Sequence, residues 1–336
     1  MTATDTMRAI VQHGYGGTEV LSFADVAVPS PGPKQVLVNV HAVSPDSGTV
    51  HLMTGRPSLV RPFMGWRTPR QPVIGLAFAG VVTAVGSAVE SVRVGDRVAG
   101  SAPAAFADFV VADPAKIAVV PAAVSMVDAA TVPISAGTAL QAVRDVARIQ
   151  AGQRVLVIGA GGGVGSFLTQ LAILEGASVT GVASAAKAAF VTSLGAERVI
   201  DYRESSEPAE WGEFDVIIDT ADGRPLHVLR RALAERGALV IVGADGAGGP
   251  VLDGVDRQLR AALLSPWVKH RLVGVVQRER GSDVAVLLDH LAAGRLSAAV
   301  GEVVPFDAAR ESIHRLQQRS IPGKAVIELR AEESQR

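Results

Sequence analysis

The chain carries one stretch in which side chains are nearly abolished, GAGGGVG at 159–165. The apolar run VLVI precedes it, and SFLTQLAILEG follows with its apolar residues at helical spacing. A strand, a turn of small residues and a helix allow backbone N–H groups and the positive helix end to come close to a phosphate. The chemistry indicated is the binding of a dinucleotide pyrophosphate. The candidate cradle is Ala160, Gly162, Gly163, Val164 and Gly165, with Ala160 where the fingerprint has its first glycine. The next strand, in SVTGVASAAK, ends on Ser184 with Lys187 three positions later. NAD-specific sites place Asp or Glu there, about 20 residues on, to bind the ribose 2′-hydroxyl. A hydroxyl and an ammonium suit a 2′-phosphate instead, so NADPH is the expected cofactor. Read alone, Lys187 would be a solvated helix lysine. Lysine is scarce here, however, occurring only at 34, 116, 187, 269 and 324.

A second group of polar side chains lies in SPDSGTVHLMTGRPSLVRPFMGW, 44–66, which is expected to wall the substrate pocket. His51 is the candidate proton relay, because an unperturbed imidazole titrates near pH ~6.5. Asp46 is the second candidate, and Ser58 and Trp66 are candidate pocket residues. For each of them, loop solvation or packing is the competing explanation. The chain has no cysteine, and its seven histidines are dispersed. That removes disulfides, thiol catalysis and cysteine-bearing zinc sites, and no metal is expected.

These residues need a frame, and 336 residues make two domains the natural expectation. Val-rich runs at 8–12, 36–43 and 79–86 read as strands punctuated by Pro and Gly, so the first third is β-rich. SMVDAATVPISAGTALQAVRDVA reads as helical segments broken at Pro133 and Gly137. From 154 to 276 strands and helices alternate, through LHVLRRALAERG as a helix and RLVGVV at 271–276 as a last strand. Such alternation predicts a doubly wound parallel sheet. The tail adds a helix in SDVAVLLDHLAAG and a closing strand, KAVIEL. The net charge of −1 gives no sign of a nucleic-acid or membrane partner. Mean hydropathy is +0.30, but no apolar run reaches the ~20 residues that span a bilayer. MTATDTMRAI lacks the layout of a secretory signal, so a cytoplasmic protein is expected.

Taken in order, several segments resemble the medium-chain dehydrogenase/reductase superfamily, in its zinc-independent quinone-oxidoreductase-like branch. They are QPVIGLAFAGVVTAVGSAVESVRVGDRVAG, AATVPISAGTALQAV, GAGGGVGSF, SLGAERVIDY and GKAVIEL. HLMTGRPSLVRPFMGWRTPRQP is similar to a sub-branch labelled alcohol dehydrogenase that lacks zinc ligands. The resemblance implies an α/β protein with a GroES-like catalytic domain, 1–123 and 278–336, and an inserted Rossmann domain, 124–277. The active site would lie in the cleft. Ser184, Lys187 and Tyr202 would surround the 2′-phosphate. Thr138 and the VGAD loop, with Gly243 and Ala244, would lie near the nicotinamide. A homodimer through the last Rossmann strand is implied as well. Two positions depart from the family pattern: an expected Asp is Ala77 and a frequent Tyr is Ser58.

Reduction of an activated C=C needs the hydride donor over the β-carbon and a hydrogen-bond donor at the carbonyl, and solvent can supply the proton. Metal-free alcohol oxidation needs a placed Tyr or Lys to move the hydroxyl proton, and none is evident. The expected activity is therefore NADPH-dependent reduction of an enone, a quinone or a related biosynthetic intermediate. Alternatives are a non-redox enzyme such as a cyclase, prompted by the two departures, and an NADPH-binding sensor without catalysis.

Overall fold

The computed structural model describes residues 5–205, 207–221, 223–242 and 255–330. They form two compact units. One comprises Met1–Gly55, Val60–Gly137 and Glu279–Arg336, and the other Arg56–Leu59 and Thr138–Arg278.

Among the described residues, the second unit is built on a six-stranded sheet. Its strands lie in the order Arg198–Asp201, Ser178–Ala183, Arg154–Ile158, Phe214–Asp219, Leu233–Ile241 and Arg271–Gly274. Every neighbouring pair is parallel. Strands covered on both faces need continuous apolar runs, and Val155, Leu156, Val157 and Ile158 are all buried. Leu156, Val182, Ile217, Leu239 and Trp211 belong to one core cluster. The sheet grows first to one side of Arg154–Ile158 and then to the other. That reversal opens a crevice at the carboxyl ends of the strands, where such sheets bind ligands.

The first unit draws on both chain ends. Its sheet runs Val300–Pro305, Lys324–Glu328, Val36–Val43, Ala77–Val85, Arg97–Ser101 and Ile117–Val119, and Phe109–Ala112 also pairs with Val36–Val43. The C-terminal strand joins antiparallel to the early one, Ile327 opposite Val43. Thr6–Gln12 and Leu21–Ala27 form a separate hairpin. Val36, Val38, Val40, Phe78, Phe106 and Ile327 are among the core residues, each at or near zero exposure.

Two expectations are corrected. The segment after Met126–Ala130 is not broken at Pro133 or Gly137. It continues as helix through Val132–Ala136, Gly137–Gln141 and Ala142–Ala147, the first and last with wider π-type turns. Pro133 enters at the start of its segment, where a proline's missing N–H costs little. Gly137 has ordinary helical angles, φ −59° and ψ −43°. The helix expected over LHVLRRALAERG is confined to Leu226–Leu229 and a 3-10 turn, Arg230–Ala232. Leu233 already pairs with Phe214, so the Ala-Glu-Arg-Gly run is strand. Sheet pairing here overrides the helical propensity of that run.

Candidate functional site

In the parallel-sheet unit, the strand Arg154–Ile158 ends in a turn made by Gly159, whose φ of +81° favours glycine. Gly159 was not among the residues expected to form the cradle; the turn begins one residue before Ala160. The helix Gly163–Leu174 is preceded by Gly162, which offers it no side-chain cap. The N–H groups of its first turn therefore remain available for an anion. A Cβ at Gly165 would come 2.1 Å from the Gly159 carbonyl oxygen, so this glycine serves close packing of helix and turn. At Gly162 an added Cβ would meet, among the described residues, only the Gly159 oxygen, at 3.4 Å, an ordinary contact. Among the described residues nothing else fills the space beside Gly162 at the helix N-terminus, as a pyrophosphate requires. Ala160 is fully buried and faces inward.

The next two strands bring the second group together. Ala183 pairs with Asp201, so Ser184 and Tyr202 leave adjacent strand ends. Ser184 begins the helix Ala185–Ser193 but does not cap it with its side chain. The stem of Lys187 lies across the glycine turn, its Cδ 2.8 Å from where a Cβ on Gly161 would be. Tyr202 is 42% exposed, with the Arg203 guanidinium 5.6 Å from its ring centre. Asp201, the carboxylate that ends the edge strand, is occupied. It accepts from the backbone N–H of Ala185 at 3.0 Å and of Arg203 at 2.9 Å. Arg203, which the sequence reading did not single out, directly follows Tyr202 at the same strand end. Thr138 donates its hydroxyl to Gln277 at 2.9 Å. Gly243 and Ala244 lie outside the described residues.

In the other unit, Asp46 caps the helix Ser47–Thr54, accepting from the Thr49 N–H at 2.9 Å and its hydroxyl at 3.3 Å. His51 rides the same helix, half-buried. The far end of that helix is held by Arg61, which donates to the carbonyls of Gly55 at 2.9 Å and Thr54 at 3.2 Å. A cation suits a helix C-terminus, and Arg61 also stacks 4.6 Å over the Tyr15 ring. The Tyr15 hydroxyl donates to Gly65 at 2.8 Å, and burial raises its pKa. Trp66 is 71% exposed, an open surface ring rather than a packed wall. Ser58 is half-buried within Arg56–Leu59, the segment that clusters with the parallel-sheet unit. Ala77 is buried in its strand, so no polar group stands at that position.

One residue here was not anticipated. Lys324, at the head of the closing strand, is 2% exposed. Its Nζ donates to the Pro45 carbonyl and to Ser135 Oγ, each at 2.9 Å. Burial lowers its pKa to about 8, with the Asp46 carboxylate pulling the other way. No group of His, Cys, Asp and Glu able to hold a metal occurs among the described residues.

A Rossmann sheet with an uncapped glycine cradle and a β-rich partner unit defines a nicotinamide-dependent oxidoreductase. The alcohol dehydrogenase GroES-like domain family matches residues 32–123, and the zinc-binding dehydrogenase family matches 194–327. A chloroplastic quinone-oxidoreductase homolog of Spinacia oleracea is 28% identical, over 97% of this chain and 99% of its own length. The quinone oxidoreductase structure from Coxiella burnetii superposes with a TM-score of 0.83 at 27% identity, over 97% of this chain and 100% of that one. A mycobacterial protein solved with NADPH gives a TM-score of 0.81 at 27% identity, over 96% and 100%. The chain belongs to the medium-chain dehydrogenase/reductase superfamily, in its quinone-oxidoreductase-like branch.

Proposed function

We propose that this protein is an NADPH-dependent reductase of activated C=C bonds or quinones that works without zinc. The observation that carries the reading is the cationic strand edge: Lys187 over the glycine turn, Ser184 and Arg203 beside it, and Asp201 already taken by two backbone N–H groups. An NAD site wants a free carboxylate there. The mycobacterial relative solved with NADPH supports the same choice.

NADPH supplies a hydride. The protein's part is to bind, orient and exclude water. The first-turn N–H groups at 163–165 hold the pyrophosphate. Lys187, Ser184, Tyr202 and Arg203 hold the 2′-phosphate. Lys324 is buried with both observed bonds inside the protein, so it is not placed to take a proton from a substrate alcohol. That favours C=C or quinone reduction over alcohol oxidation. With no cysteine in the chain, the usual thiolate zinc ligands are missing too.

We further place the protein in the cytoplasm as a homodimer. Among the described residues no helix is long and apolar enough to cross a membrane. The strand Arg271–Gly274 ends the parallel sheet. Nearby Trp267 is 85% exposed, Val276 79% and Leu263 74%, apolar surface that a second copy would cover.

The test is NADPH oxidation against a panel of enones and quinones, with and without a chelator. Turnover that survives chelation is expected. Product formed without loss of NADPH would identify a non-redox enzyme instead, and binding without turnover a sensor.

A further inference from the structure

The Lys324 cluster has more hydrogen-bonding capacity than it uses. An ammonium has three donors, and the Pro45 carbonyl and Ser135 Oγ take two. Ser135 Oγ accepts from the ammonium, and its own hydrogen meets no acceptor among the described residues. Asp46 Oδ1 is engaged by Thr49, while Asp46 Oδ2 is buried without a hydrogen-bond partner. Ser135 and Asp46 are 1% and 5% exposed.

A buried ammonium that only tied segments together would be an expensive tie. Apolar residues of the same volume serve a core as well or better, and unspent buried polar groups cost stability. Such clusters are retained where chemistry needs them. The position fits that role. Asp46 starts the helix that carries His51, and Ser135 lies three residues before Thr138 along a continuous helical segment.

We infer that Lys324 is a positioning residue for the proposed reduction, acting through Asp46 and Ser135. The inference rests on the reductase reading above. The ammonium fixes the start of the His51 helix through the Pro45 carbonyl, and it orients the Ser135 hydroxyl so that its hydrogen points away from Lys324. In the reaction, hydride adds to the β-carbon and the C=C electron pair moves onto the carbonyl oxygen. A proton from solvent then completes the α-carbon. Lys324 takes no direct part in these steps; it holds the helix start and the Ser135 hydroxyl in place.

Other titratable and charged groups lie on the elements around Lys324, among them Glu328 on its own strand and Arg310 and His314 on the helix Ala309–Gln317. On the flanking strands these are His41 and Glu302, and Glu302 is held by Ser312 and Arg315. Asp128, on the helix Met126–Ala130, accepts from Ser125. Asp307 and Glu311 lie on the turn and helix that follow Val300–Pro305, where Asp307 acts on Arg8 and Glu311 pairs with Arg315. Asp46 is the charge that acts on Lys324.

Two measurements on the full chain test this. In the first, Cε resonances of isotopically labelled lysine are followed through pH. Lys324 should titrate near 8, and Asp46→Asn should lower that midpoint by removing the anion that favours the charged form. In the second, NADPH oxidation with 2-cyclohexen-1-one and 1,4-benzoquinone is measured from pH 6 to 10. Activity should fall as Lys324 loses its proton. Lys324→Met should cut kcat at least about tenfold and abolish that alkaline limb, with the KM for NADPH nearly unchanged. Ser135→Ala, which keeps the charge, should lower kcat in the same way and guards against a misfolded Lys324→Met. A folded Lys324→Met or Ser135→Ala with wild-type kcat and pH profile overturns the positioning role, as does an Asp46→Asn that leaves the midpoint unmoved. A wild type that oxidises no NADPH with either probe overturns the reductase reading itself.

Discussion

Gly162→Val separates the cradle from the fold. Gly162 has φ −99° and ψ 178°, extended angles that valine adopts without strain. Among the described residues its added Cβ would touch only the Gly159 oxygen, at 3.4 Å, and the methyls beyond it would enter the space over the helix N-terminus. Valine is a poorer N-terminal cap than glycine, by about 1 kcal/mol. The unfolded chain loses freedom worth about 0.4–1 kcal/mol in return. The net change should stay within about 1 kcal/mol, a shift of roughly 2–4 °C or less in melting temperature. Binding should respond very differently. Displacing the pyrophosphate from two backbone donors forfeits about 1.5–3 kcal/mol for each charge-assisted bond. That is at least about a hundredfold in Kd. NADPH titration by fluorescence, run beside thermal unfolding without cofactor, reads both quantities. Unimpaired NADPH binding would refute the cradle, and a collapsed melting point would show that the glycine serves the fold first.

Lys187→Ala should weaken NADPH about ten- to a hundredfold and leave NADH nearly unchanged; equal losses for both cofactors in titration would contradict the 2′-phosphate assignment. Lys324, whose folded pKa is lowered to about 8, should make stability rise with pH between about 8 and 10.5. In that window the unfolded state still holds the proton that the native state has released. The burial penalty is in full force below pH 8, so Lys324→Met should flatten this slope in denaturant titrations, and an unchanged slope would show that another group is responsible. Trp267→Arg should convert a dimer to monomer by light scattering, and a wild type already monomeric would remove the edge-strand interface.

What the sequence made legible was local. The glycine turn, Ser184 and Lys187 lie within thirty residues of one another, and alternating strands and helices disclosed the parallel sheet that carries them. The continuity of the 132–147 helix was hidden because Pro133 and Gly137 break helices in most settings, and only their positions in the turn make them harmless. Trp66 enters the pocket reading through its membership of the 44–66 segment, and sequence alone carries no sign that its ring is open to solvent. Lys324 was invisible for a different reason. Its partners Pro45 and Ser135 are 279 and 189 positions away, and GKAVIEL reads only as a closing strand. Burial of a charge is a property of the assembled sheet, and no local pattern encodes it.

The most direct measurement of the central claim is isotope transfer. NADPH deuterated at the nicotinamide C4 position is incubated with the protein and 2-cyclohexen-1-one, and the product is examined by mass spectrometry and NMR. The account predicts one deuterium at the β-carbon of the saturated ketone and none at the α-carbon. Saturated ketone without deuterium from either C4 face, or deuterium at the carbinol carbon of an allylic alcohol, would contradict it.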